Sequence, residues 1–184
     1  MAAPYQTPYY GAQGVQLFGL NNLTSPSSVM TMTAAMSFAG IGGNAADVKV
    51  SNLDSGSYEE FFKGLIDPGS PNGDVVYNFN SSVHQWLDTM FAKGVGGTTQ
   101  WFIGAADATL APTITGTIAS GDQVLTPPKG ATSPKHWTRS GFYFYAYVKE
   151  FSKSVQTGQF IKAKLTLRIS GAITPCYLGV LATI

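Results

Sequence analysis

Apolar and polar residues alternate along most of this chain, and a period of two predicts strands. Met30, Met32, Ala34, Met36 and Phe38 alternate with Thr31, Thr33, Ala35 and Ser37. Val48 and Val50 predict a further strand after the glycine-rich turn at 40–43. Val75, Tyr77 and Phe79 predict a third, and 99–104, with Trp101 and Ile103 on one face, a fourth. The two strongest strands lie near the C-terminus. In 141–151, Phe142, Phe144, Ala146 and Val148 share one face, and Tyr143, Tyr145, Tyr147 and Lys149 the other. In 160–170, Ile161, Ala163, Leu165, Leu167 and Ile169 alternate with Lys162, Lys164, Thr166, Arg168 and Ser170. At ~3.3 Å per residue each spans roughly 33 Å, twice the usual strand length. A turn near Thr157 and Gly158 joins them as a long hairpin.

One segment departs from this period. Val83, Trp86, Leu87, Met90 and Phe91 fall at i, i+3, i+4, i+7 and i+8, which predicts an amphipathic helix over about 82–93 with these five facing the core. Ser82 and Gln85 form a capping box at its start, and Gly94 supplies a left-handed stop. His84 sits beside the stripe and reads as solvated. The remaining segments lack a sustained period. Residues 1–28, rich in Pro, Gly, Tyr, Gln and Asn, read as an extended arm before a β domain at 29–171. Within that domain, 54–73 reads as a long polar loop and 105–140 as an insertion dense in Pro, Gly, Thr and Ala. Ile114 and Ile118 offer a minor hairpin there, but Pro127, Pro128 and Pro134 argue for loop. Residues 172–184 form a C-terminal tail.

Composition changes the picture in one respect. Charged residues make up 11% of the 184, against roughly 25% in an ordinary soluble domain. A free monomer with so few charges is poorly soluble, a difficulty removed if neighbouring copies cover much of its surface. A secreted or virion-type protein fits the same composition. Net charge is +1, so no global field points to nucleic acid, membrane or acidic substrate. The single cysteine excludes an internal disulfide framework. No signal peptide is legible, and the apolar run at 29–43 falls below the ~20 residues that cross a bilayer, so no membrane insertion is expected.

Candidate chemistry is sparse, and no enzyme, metal or cofactor is expected. His136 has no Cys or carboxylate at metal-ligand spacing, and Cys176 lies among apolar neighbours and reads as a packed thiol. Gly40–Gly43 and Gly94–Gly97 lack the strand-to-helix setting of phosphate loops. Ser55 and Ser57 lack the Gly-x-Ser-x-Gly frame. Glu59 and Glu60 are adjacent, so their side chains diverge, and they read as a solvated pair and not as catalytic carboxylates.

The order of the middle and C-terminal segments resembles the tail tube proteins (major tail proteins) of long-tailed bacteriophages. The matching segments are Ser57-Tyr58-Glu59-Glu60-Phe61-Phe62, Gly64-Leu65-Ile66-Asp67-Pro68-Gly69 and 73–80, then the helix from Val83 to Phe91, and finally 141–148 and 164–171. The resemblance implies a β-sandwich or barrel flanked by one helix, and a ring of six copies sharing an inner β-barrel. It further implies stacking of rings into a tube through which DNA leaves the virion without sequence-specific binding. The loop at 54–73 then contacts the adjacent ring, with Tyr58, Glu59, Glu60, Phe61, Phe62, Leu65 and Asp67 as the contact residues. Lys162, Lys164 and Arg168 are expected at subunit contacts, neutralised by carboxylates or turned from the channel; the competing reading is that they line the channel and are offset there by nearby carboxylates. Tape-measure, tail-terminator and baseplate or tail-tip proteins are the implied partners, and the virion tail the location, after assembly from host cytoplasm. A tube protein of a contractile bacterial injection system and a secreted carbohydrate-binding β-sandwich are the alternatives.

Overall fold

The computed structural model describes residues 15–32, 39–49, 61–93, 97–117, 122–131, 133–157 and 159–182. Among the described residues eleven strands and one helix follow in the order β1 (Gln16–Asn21), β2 (Ser28–Met32), β3 (Asn44–Lys49), β4 (Phe61–Asp67), β5 (Asn72–Val76), α1 (Ser82–Ala92), β6 (Thr99–Gly104), β7 (Thr113–Thr115), β8 (Val124–Thr126), β9 (Gly141–Ser154), β10 (Lys162–Ile169) and β11 (Thr174–Cys176). The protein is mainly β, as its alternating pattern predicts. Antiparallel pairing builds a seven-stranded sheet in the order β2-β1-β6-β9-β10-β5, with β11 also on β9.

β9 organises this sheet. Over its 14 residues it pairs β6 along one side, and β10 followed by β11 along the other. The chain turns from β10 into β11 at Gly171, whose φ of +97° an L side chain rarely adopts. The sheet also curls. Thr31 and Met32 of β2 line the same cleft as Val76 and Asn78 at the end of β5, so its two outermost strands face each other. Ala39 bridges Asn72 in the same region.

Both faces of the sheet are packed, but unequally. On one, Trp101, Phe144, Val148, Leu165 and Leu167 meet Trp86, Leu87 and Met90 of α1. The helix is tied down by Asp88, which accepts from the Tyr77 hydroxyl at 2.8 Å and pairs with Lys153. On the other face, Phe18, Leu20, Phe102 and Tyr143 meet Leu125, Trp137 and Cys176. That second layer comes from 105–140 and the C-terminal residues, and it covers only the β1–β6 side.

Several expectations are corrected. Of the 1–28 arm, Gln16–Asn21 is an inner strand with Leu17 on one core and Phe18 and Leu20 on the other. A strand buried on both faces carries no polar alternation, so its pattern resembles a linker. Of the 54–73 loop, Phe61–Asp67 is strand β4, paired with β3 in its own two-stranded sheet. The 105–140 insertion contains the hairpin β7–β8, with Leu125 and Thr126 where loop was expected. Phe91 is 48% exposed and leaves the helical stripe, lying at its edge while Met90 in the same last turn is buried. His84 is buried, stacked on Tyr77 with ring centres 5.1 Å apart, and its Nδ1 accepts the Asn78 N–H at 2.9 Å. Phe79, read as a strand residue, is exposed beyond the end of β5. The helix has Ser81 at its N-cap with no side-chain cap, and Gln85 donates to the Phe79 carbonyl instead of closing a box. Gly94, Gly158 and the strand residues 33–38 lie outside the described residues.

Candidate assembly surfaces

Three surfaces follow from this architecture, and the first is the part of the sheet that has no second layer among the described residues. A β-bulge shifts register between Thr166 and Leu167, so that Thr166 opposes Glu150 and Leu167 opposes Val148. The extra residue, Lys149, keeps Glu150 on the face of Lys164 and keeps Phe151 in the core. The bare face therefore carries Tyr145, Tyr147, Lys149 and Glu150 from β9, and Lys162, Lys164 and Arg168 from β10. Lys164 Nζ lies 3.3 Å from Glu150 Oε2 and stands opposite Asp74 of β5. Glu150 also accepts from Ser152 and Thr166. The Ser152 hydroxyl first, and the Lys164 ammonium with it, hold the Glu150 carboxyl below the usual carboxylate range.

The second surface is the β3–β4 hairpin. It stands clear of the main sheet, with Leu65 93% and Ile66 56% exposed. Its base is held by Asp67, whose Oδ1 accepts the Gly69 N–H at 2.9 Å and whose Oδ2 accepts from Arg168 at 3.1 Å. Arg168 also donates to Ser70 Oγ at 3.2 Å. The Gly69 N–H and then the Arg168 guanidinium hold the Asp67 carboxyl below its ordinary range. The third surface is an exposed apolar run after β11, with Tyr177, Leu178, Val180 and Leu181. It is bonded to 135–140 through Trp137, Ala182 and the Ser140 hydroxyl.

The residues expected to act together divide accordingly. Tyr58, Glu59 and Glu60 lie outside the described residues, and Phe61 and Phe62 are placed only as members of β4. Leu65 is on the free hairpin, and Asp67 is joined to Arg168. Val83, Trp86, Leu87 and Met90 face the core as expected from the stripe. Sequence reasoning missed Arg139, which is 1% exposed. Its guanidinium donates to the carbonyls of Ala105 and Leu110 and to Gln16 Oε1, and lies over the Phe18 ring. One cation thereby fixes the start of the insertion to β1. Nothing in the sequence near Arg139 marks it, because its partners are backbone carbonyls far away along the chain.

No group of three or more His, Cys, Asp or Glu able to hold a metal occurs among the described residues. The Cys176 thiol is pushed up to about 11 by burial, which leaves it protonated and inert at neutral pH. A cleft of 390 Å³ beside Gln100 and Tyr145 is lined by Asn22, Thr24, Ser27 and Gln123, without carboxylate or imidazole. Its lining offers no acid, base or activated nucleophile.

The model of one protein family matches residues 9–176, and its description is phage tail tube, TTP, lambda-like. No curated protein matches the chain. Solved structures share the fold. A chain of the SPP1 tail tube aligns with TM-score 0.57 at 8% identity, over 92% of this chain and 80% of that one. A chain from the tail of an empty gene transfer agent particle, solved with C6 symmetry, aligns with TM-score 0.54 at 12% identity, over 91% and 98%. A chain of the 6-fold symmetrised baseplate of the anti-feeding prophage aligns with TM-score 0.58 at 8% identity, over 98% and 100%.

Proposed function

The chain belongs to the lambda-like phage tail tube family and is a structural, non-enzymatic subunit of a tail tube; from that premise we propose that six copies close into a ring and that rings stack through the β3–β4 hairpin. The hairpin carries this reading. A two-stranded ribbon is marginal in water by itself, and among the described residues Leu65 stays 93% and Ile66 56% exposed. A second copy supplies the missing partner. Six-fold closure is the symmetry of the gene transfer agent tail that shares this fold. Ring contacts close by symmetry, whereas stacking contacts repeat without limit and give a filament. The edges at β2 and β5 are the strands through which a sheet continues into neighbouring copies.

The bare face lines the channel, since it is the part of the sheet that no second layer occupies. Its cations stand among carboxylates, Lys164 with Glu150 and Arg168 with Asp67, so passing phosphates meet little net attraction. DNA traverses this conduit without base readout. Tape-measure, terminator and baseplate or tail-tip proteins meet the tube at its ends, and the subunit waits in host cytoplasm before assembly.

Replacing 45–66 by a short glycine turn, which keeps Asp67 and its bond to Arg168, tests the stacking role. The variant is expected to fold with an unchanged thermal midpoint and to give no tubes by negative-stain microscopy, where the parent does. Tubes of normal length from the variant would sink the reading.

A further inference from the structure

We propose that Arg168 is the positioning residue of the stacking hairpin: reaching from β10 to Asp67 and Ser70, it holds the β3–β4 ribbon at one elevation above the sheet. This deepens the stacking reading and rests on it.

The two chain segments that enter and leave the hairpin cross at glycines. Gly40, at φ +81°, and Gly69, at φ +90°, both take the left-handed conformation. A Cβ on Gly40 would meet the Ser70 carbonyl oxygen at 2.9 Å, and one on Gly69 would meet the Gly40 carbonyl oxygen at the same distance. The crossing is therefore tight and lacks side chains to brace it. Below it, the Ala39–Asn72 bridge and the bond from Leu167 N–H to the Pro71 carbonyl attach the base to the sheet. Above it, among the described residues, β3 and β4 pair only with each other. A ribbon carried on Gly40, Gly42 and Gly69, all three at positive φ, has a hinge, and backbone bonds below that hinge do not fix its angle.

Arg168 supplies the fixing contact. Its two terminal nitrogens take separate partners, Asp67 Oδ2 at 3.1 Å and Ser70 Oγ at 3.2 Å, on opposite sides of Gly69. Asp67 is in turn oriented by the Gly69 N–H at 2.9 Å. A planar guanidinium bridging both sides of a hinge resists rotation as a lysine's single ammonium does not. The pair is half exposed, so each clasp shifts the hinge population by no more than about tenfold. Every subunit in a ring carries one, and the bias multiplies across the ring.

The test uses Arg168→Met, Arg168→Lys and Asp67→Asn in the full chain. Hydrogen exchange is read at the amides of 63–66 in the unassembled subunit, and tube yield is read separately. Exchange at those amides is expected to rise 3- to 10-fold in Arg168→Met and Asp67→Asn, and less in Arg168→Lys. Amides of β9 and β10 should not change, and tube yield should fall in the same order. Reversing both charges, Arg168→Asp with Asp67→Arg, should restore part of the protection. Unchanged exchange at 63–66 in Asp67→Asn overturns the proposal, whatever happens to assembly. Lost tubes with unchanged exchange would place Arg168 at a contact between copies instead. If the parent forms no tubes while exchange responds as expected, the stacking reading fails and the clasp stands.

Discussion

Trp86 shows how much one side chain contributes to joining helix and sheet. Its indole packs on Trp101, with ring centres 5.2 Å apart, and over Gly19 of β1. Gly19 is required there, because a Cβ would fall inside the indole. Truncating a fully buried Trp costs about 3–5 kcal/mol, close to the whole stability of a domain this size. Trp86→Ala should therefore lower the denaturant midpoint sharply and reduce soluble yield. A loss below ~1 kcal/mol would show that the sheet repacks without the indole. The stripe that names Trp86 also names Phe91, which is wrong because periodicity gives a helix face without giving its partner's extent. Burial of His84 was illegible for a related reason. The two rings beside it, Tyr77 just past β5 and Phe151 on β9, are brought together only by the tertiary fold.

At the scale of elements, β9 and β10 were legible because half of their length has a core face and a bare face. β3 was legible from Val48 and the glycine-rich turn before it, whereas β1 was not, having two buried faces, and β4 was not, lying in a segment whose turn residues read as loop. The bulge at Lys149 was equally hidden, although it decides which way Glu150 points. Its carboxylate and that of Asp67 each tie β10 to a neighbour, β9 in one case and β4 in the other. Both carboxyls titrate below their ordinary values in the folded state. The native state thus binds fewer protons than the unfolded chain across that interval, and their contribution is complete above about pH 5. It is lost as pH falls through the depressed values. The thermal midpoint should stay level from pH 7 to 5 and then decline, and Asp67→Asn with Glu150→Gln should flatten that decline. Identical acid limbs for parent and double variant would show that the two pairs contribute nothing.

For the whole molecule, the low charge content finds its reason in assembly, and the family match supports that reading over a sugar-binding module. The channel adds a quantitative demand. Each phosphate held by a cation adds about 0.9 to the slope of log binding against log salt. Parent tubes should bind a short DNA duplex weakly, with a shallow salt slope. Glu150→Gln strips Lys164 of its nearest carboxylate, and the slope should steepen. An unchanged slope would move this face away from the channel.

The position of β9 in the chain also governs when a subunit comes into being. β6, β10 and β11 all bond to it, yet it begins only at Gly141. While the ribosome is still short of that point, β5 has no partner strand, α1 has little sheet to lie on, and the pairs β1–β2 and β1–β6 are all the main sheet can hold. Pairings so distant in sequence form late and slowly. The β3–β4 ribbon can close early, from neighbouring segments, but it then projects from nothing. The main sheet can therefore be completed only once 141–154 has left the ribosome, and the surfaces that depend on that sheet come into being together with it.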